Sequence, residues 1–329
     1  MAAPFWILIL LVMLLMTVAL VVLIVVMAVR AGQGASRTSP YDDQGVPFES
    51  VPTALDAARR RAATTAGLAW VAAGGAAFLS PVLVALAARI DEVGVWCAAL
   101  LVALAFLAVH AVGEGAWPRP SGAARRAPLV VRSVRQVAAS WPRRMAWVWA
   151  ACVVVVAVVC AVVADETGRG LTVQADEGWG RATPFPGLPH GVGALITVAL
   201  VLAGTEVVLR QITQRRAVPD VSVADDLALR KLAARRVAAG SQAVVAGVLV
   251  VLLAVAGAAM EDVGTPTPGA EGGDAGVLFE RWAVAGSVVT AAAIGVALAA
   301  LAVAWFGSLR SRPDAHAVAA AHPSGAAAV

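Results

Sequence analysis

The chain has 329 residues, of which 60% carry hydrophobic and only 14% charged side chains, with a formal net charge of +4. Soluble domains run at about 45–50% apolar and about 25% charged residues, so a mean hydropathy of +0.82 excludes an aqueous fold and makes lipid the solvent. The basic excess does not point to nucleic acid, because the arginines fall in short runs at the ends of apolar stretches, where they act as orientation signals and contacts for anionic lipid.

A helix needs about 20 apolar residues to cross the hydrocarbon core. Residues 5–29, 63–88, 93–113, 145–164, 190–209, 237–260 and 282–306 reach that length. Lipid offers backbone amides no partner, and these runs lack the two-residue alternation of barrel strands. The expected fold is an all-α membrane protein of about seven transmembrane helices: a lipid-facing N-terminal anchor helix plus three pseudo-repeated helical hairpins.

In chain order, residues 1–30 form the anchor, built from Leu, Ile, Met and Val. Its apolar run exceeds the roughly 7–15 residues of a signal-peptide core, Met1 to Trp6 carry no basic side chain, and Arg30 follows at once, so it reads as uncleaved. Residues 31–62 are a cytoplasmic linker ending in the basic elbow Arg59-Arg60-Arg61. Residues 63–309 hold a six-helix bundle, in hairpins 63–113, 145–209 and 237–306, rich in small residues such as Ala72-Ala73-Gly74-Gly75. Small residues let helices approach closely in lipid.

Within this bundle, Val130, Val134, Val137, Ala138 and Trp141 share one face with Arg132 and Arg135 turned away, the pattern of an interfacial helix. The loop from Thr167 to Pro189 carries Trp179 and is stiffened by Pro184, Pro186 and Pro189, and either folds over the outer mouth or serves as a rigid connector. Ser222 to Arg236 is a second elbow expected to lie on the membrane, with Asp226 and Arg230 spaced for an i,i+4 pair. Gly264 to Gly276 has loop composition, and residues 310–329 form a disordered cytoplasmic tail.

Two recurrences support the hairpin repeat. Thr53 to Asp56 and Ser222 to Asp225 share a capping-box-like spacing, each followed by Ala-Arg-Arg-x-Ala-Ala. The first helix of each hairpin ends in an acidic pair, Asp91-Glu92, Asp165-Glu166 and Glu261-Asp262. The helix dipole disfavours carboxylates there, so the pairs are expected one step beyond the last turn, as solvated caps or as hard oxygen ligands for a divalent cation.

Orientation follows from the basic residues. Of the 25 arginines and lysines, 21 fall in the segments 30–61, 119–144 and 210–236 and in the tail, leaving Arg89, Arg169, Arg181 and Arg281 on the other side. The positive-inside rule then places the amino terminus outside and the carboxy terminus in the cytoplasm. Trp6, Trp96 and Trp282 mark the outer interface and Trp117, Trp141, Trp147 and Trp305 the inner one.

Polar groups at membrane depth are costly and are the first candidates for function. His110, Glu206, Thr64, Thr65, Thr205, Ser241 and Gln242 fall in the cytoplasmic third and can gather into one cluster, with His110 and Glu206 as a proton-sensitive couple. The competing assignment gives each a local i,i+4 partner, Glu114 for His110 and Arg210 for Glu206. Enzymatic motifs are missing: no HExxH, no Gly-x-Ser-x-Gly, no buried aspartate pair, and the lone Lys231 lies outside the bundle. Cys97, Cys152 and Cys160 lack metal or redox spacing, so no cofactor is implied.

With its anchor, its arginine-rich elbows and the Trp179 to Pro189 loop, the chain resembles uncharacterised multi-pass integral membrane proteins of high-GC bacteria. The resemblance implies a plasma (inner) membrane location and no particular activity. The expected role is a non-catalytic scaffold or regulatory subunit, in contact with lipid and with a protein partner at the cytoplasmic elbows. The alternative is a transporter or permease subunit using the polar cluster.

Overall fold

The computed structural model describes residues 54–87, 94–117, 134–137, 140–175, 178–218, 221–264 and 274–309. The anchor helix, the linker to Thr53, the Asp91-Glu92 pair, most of the loop after Gly264 and the tail from Arg310 lie outside the described residues. Among the described residues six helices are long and apolar enough to cross a membrane. In chain order the elements are α1 (Ala54–Ala87), α2 (Gly94–Gly115), α3 (Val134–Val137), α4 (Ser140–Val163), β1 (Leu171–Ala175), β2 (Gly178–Ala182), α5 (Leu188–Gln214), α6 (Val223–Gly264) and α7 (Asp274–Leu309).

The bundle is organised around α6, which touches α1, α2, α4, α5 and α7. Four residues of α6 between them make a joint to each of these helices. Arg236 donates to Ala62 O of α1 at 2.8 Å. Gly240 lies against the Phe106 ring of α2. Ser241 Oγ accepts from Thr205 Oγ1 of α5 at 2.7 Å. Gln242 accepts from Trp149 Nε1 of α4 at 2.9 Å and donates to Ala300 O of α7 at 2.8 Å. A glycine admits the bulkiest neighbour, and buried amides and hydroxyls find fixed partners because lipid supplies none.

The hairpin α6–α7 is the most extensively packed pair. A Cβ on Gly286 would stand 2.6 Å from Gly257 O and 2.7 Å from Glu261 N, so backbone meets backbone there. Consecutive pairing also joins α1 to α2, but α4 packs more extensively on α6 than on its sequence neighbour α5. Helices α1 and α7 form the margins: 17% of the apolar window is buried in each, against 50% in α2.

The structure departs from the all-α expectation in the connection from α4 to α5. There β1 and β2 pair antiparallel, with Leu171 opposite Ala182 and Gln174 opposite Trp179. Leu171, Val173, Ala182 and Phe185 face inward and pack on Cys160, Ala256, Ala259 and Val263, while Thr172, Gln174 and Arg181 face out. This is the two-residue period of a half-buried strand pair, and it seats the loop over the end of α4 and α6.

Several helix boundaries also move. Helix α1 begins at Ala54, so Arg59, Arg60 and Arg61 belong to it and not to a separate elbow. The Ser222 to Arg236 segment is not a separate elbow: from Val223 it is continuous with the 237–260 stretch in one 42-residue helix, about 63 Å long at 1.5 Å per residue. Its start is capped as the spacing predicts, with Asp225 N donating to Ser222 Oγ at 3.1 Å and Ser222 Oγ donating to Asp225 Oδ2 at 2.6 Å. Of the segment Val130 to Trp141, Val134 to Val137 form the short α3 and Trp141 sits in the first turn of α4, while Val130, Arg132 and Ala138 lie outside the described residues. Glu261 and Asp262 lie within the last turn of α6, not beyond it.

Candidate functional site: the arginine-rich end of the bundle

A helix leaves its last carbonyls without intrahelical donors. At the end of α5 the Arg215 amide closes on Gln211 O at 2.9 Å. Arg230 of α6 supplies the rest: its Nη1 donates to Ile212 O and Thr213 O, both at 3.0 Å. The same guanidinium donates from Nε to Asp226 Oδ2 at 2.8 Å. Arg230 is 1% exposed and heads the fully buried side chains by size.

A second buried arginine continues the network. Arg215 lies 3.4 Å from Glu114 Oε2 and 3.6 Å from Asp226 Oδ1, with its Cζ 4.3 Å from the centre of the Trp117 ring. Trp117 Nε1 donates to Glu114 Oε2 at 3.1 Å. Arg61 of α1 approaches the same indole at 5.4 Å and donates to Ala116 O. Charges survive burial only when paired and hydrogen-bonded, so one indole and two carboxylates tie α1, α2, α5 and α6 together. Around them Ala58, Val218 and Leu229 form a small apolar cluster, and Val137, Ile212, Ala233 and Ala234 a larger one.

This platform carries solvent-facing cations. Arg60, Arg144, Arg210, Arg216 and Lys231 are exposed. Arg59 pairs with Asp56 at 3.8 Å, both about half exposed, a contact worth about 0–1 kcal/mol. Chemically the surface is a fixed array of guanidinium groups suited to carboxylate or phosphate.

The seven polar residues singled out in the sequence do not form one cluster. Glu206 meets neither His110 nor Arg210 but accepts from Arg143 of α4 at 2.8 Å. Glu114 engages Arg215 and Trp117. Thr205 joins Ser241, Gln242 joins Trp149 and Ala300, and Thr64 turns back to Arg61 O at 2.8 Å. Thr65 packs against Gly113. His110 is buried edge-on to Phe106, with ring centroids 4.8 Å apart, and its Nε2 has no hydrogen-bond partner.

Sequence reasoning missed Glu114, Arg215, Trp117 and Arg61 as a unit. Only the Asp226 to Arg230 spacing signalled any of it, because Glu114 and Arg215 are about a hundred residues apart. Two tryptophans assigned to membrane interfaces serve instead as packing. Trp96 is 5% exposed, its ring against Gly193 and edge-on to His190, and Trp117 is the arginine platform. Trp141, Trp147 and Trp305 are exposed, as interfacial rings are.

At the opposite end Asp165 does structural work. Its Oδ1 accepts from Thr167 Oγ1 at 2.5 Å, Thr167 N at 3.1 Å and Gly170 N at 3.2 Å, and its Oδ2 pairs with Arg181 of β2 at 2.9 Å. The Thr167 hydroxyl, then the backbone amides and Arg181, hold its carboxyl down at about 2. Folded-state depression means that its contribution is present above the ordinary carboxylate pKa near 4 and is lost as pH falls through about 2. Among the described residues no three His, Cys, Asp or Glu side chains gather as a metal site.

Asp165→Ala is therefore expected to raise amide exchange across β1 and β2 about tenfold at neutral pH while α6 stays protected. Equal protection of the hairpin in variant and parent would show that Asp165 does not clamp it.

No family model matches this chain, nor does any curated protein or solved structure.

Proposed function

We propose that the protein is a non-catalytic multi-pass membrane subunit that acts by docking an acidic segment of another protein on its arginine-rich end. The observation that carries this reading is the buried Glu114, Arg215, Asp226 and Arg230 network. Burying four charges is costly unless a fixed geometry is wanted, and this network fixes the helix α6 that carries the exposed Lys231, while Arg60 and Arg144 are exposed on α1 and α4. Among the described residues Thr205, Ser241, Gln242 and Glu206 are engaged with one another or with neighbouring helices, which weighs against a pathway through them.

The arginine distribution supports a seven-span arrangement of anchor plus three hairpins in the plasma membrane, with this end in the cytoplasm and the amino terminus outside. Cross-linking followed by mass spectrometry, on protein extracted from its own membrane, tests the docking role. One protein is expected to be retained by the parent and lost at least tenfold in Arg60→Glu/Lys231→Glu. Retention unaffected by the charge reversal, or no retained protein at all, counts against it.

One observation favours a second reading, a transport subunit: the buried His110 Nε2 without a partner. Unchanged uptake and binding in Glu206→Gln/His110→Ala would remove that reading.

A further inference from the structure

Beside the buried network lies a groove of about 700 Å³, lined by Val207, Arg210, Gln214, Arg215, Arg216 and Glu114. Val207, Arg210, Gln211 and Gln214 recur at i, i+3, i+4 and i+7, so one face of α5 changes from apolar to cationic within two turns. Arg210 and Arg216 are exposed and have no carboxylate partner among the described residues. Glu114 is already engaged by Arg215 and Trp117 and leaves the groove cationic. The α5 carbonyl end would repel an anion, but Arg230 caps Ile212 O and Thr213 O and offsets it.

The same face continues downward as an apolar track. Val207, Leu200 and Ile196 are 61%, 48% and 56% exposed, and with Ala203 they fall at alternating spacings of three and four, which keeps them in one stripe. Leu200 to Arg210 spans about 15 Å at 1.5 Å per residue, about half of the roughly 30 Å hydrocarbon core. Arg210 therefore stands about one leaflet's depth along the helix from Leu200, a separation that the phosphate and acyl chain of a single lipid can span.

We propose that this groove is a specific site for an anionic phospholipid: the phosphate lies between Arg210 and Arg216, the glycerol against Gln214, and one acyl chain runs down Val207, Leu200 and Ile196. The occupant is assigned as lipid because the cationic pocket and the apolar track are continuous on one helix face, whereas a soluble phosphate would use only the upper part. The site does not depend on which way the bundle is inserted, nor on the protein partner proposed above.

Native mass spectrometry of the full chain in neutral detergent, titrated with phosphatidylglycerol or phosphatidylcholine, tests it. Phosphatidylglycerol is expected to bind about tenfold or more tightly than phosphatidylcholine, and the preference to vanish in Arg210→Gln/Arg216→Gln. Arg60→Gln/Arg144→Gln, which removes the same charge elsewhere, should keep the preference. Equal binding of the two lipids by the parent overturns the site, and that comparison stands even where the double variant does not fold. Loss of the preference in the Arg60 and Arg144 control would reduce it to diffuse electrostatics. Displacement of phosphatidylglycerol by millimolar inorganic phosphate would reassign the groove to a soluble anion.

Discussion

Asp226→Ala is expected to destabilise the protein by about 3–5 kcal/mol, the usual cost of removing one member of a buried charge network. The substitution strips Arg230 of its Nε acceptor and removes the carboxylate 3.6 Å from Arg215, leaving two guanidinium groups that are 1–2% exposed with less counter-charge. Breaking the network is costly because the arginines stay buried. Replacing the Asp226 and Arg230 pair by Leu and Met is expected to recover part of the loss, since apolar groups of similar size need no partner. The remainder belongs to Ile212 O and Thr213 O, which lose their donor. Unfolding in nanodiscs reads both variants. An Asp226→Ala protein as stable as the parent would mean that the network does not hold this end together, and the docking surface would lose its physical basis.

The second large effect is expected at Gly240. On helix propensity alone Gly240→Ala should stabilise α6 by about 1 kcal/mol. The new methyl, however, collides with the Phe106 ring. That ring is 1% exposed and packs on Trp70 and His110, at centroid distances of 5.3 Å and 4.8 Å, so moving it displaces its neighbours. Overpacking of this kind costs about 1–3 kcal/mol, and here the upper end applies, so a net loss of about 2 kcal/mol is expected. Phe106→Leu in the Gly240→Ala background should return most of it. A Gly240→Ala protein more stable than the parent would show that propensity wins and that the α2–α6 crossing is loose.

The spans were legible because apolar length is a local property. Residues 93–113 and 190–209 needed only their own composition to be read, and α2 and α5 extend those stretches by a few residues. The capping of α6 by Ser222 and Asp225 was equally legible, since donor and acceptor are three residues apart. The straight continuation of α6 through Arg236 was not. Its basic, weakly apolar start matches a membrane-lying helix in sequence, and only burial of Asp226, Leu229, Arg230 and Ala233 against α1, α5 and the Trp117 turn makes the axial path favourable. The β hairpin escaped notice because its inward side chains, Leu171, Val173 and Ala182, are few and the prolines that follow it, Pro184, Pro186 and Pro189, read as a loop.

The candidate site divides in the same way. Glu206 and His110 each had a plausible partner four residues away, and neither uses it: Glu206 is met by Arg143 from a different helix, and Glu114 is claimed by Arg215. Local spacing places two side chains on one helix face, but at a helix crossing a long arginine reaches a neighbouring helix as easily as its own next turn. By itself the sequence determined that this chain lives in lipid, which segments are long and apolar enough to cross it, and that its basic residues fall mainly in the segments 30–61, 119–144 and 210–236. The tertiary structure alone decided that Gly240, Ser241 and Gln242 join four other helices, and that four buried charges from three parts of the chain close into one network. Solvent preference is summed residue by residue along the chain, whereas the partner of a buried charge is fixed by which helices pack together.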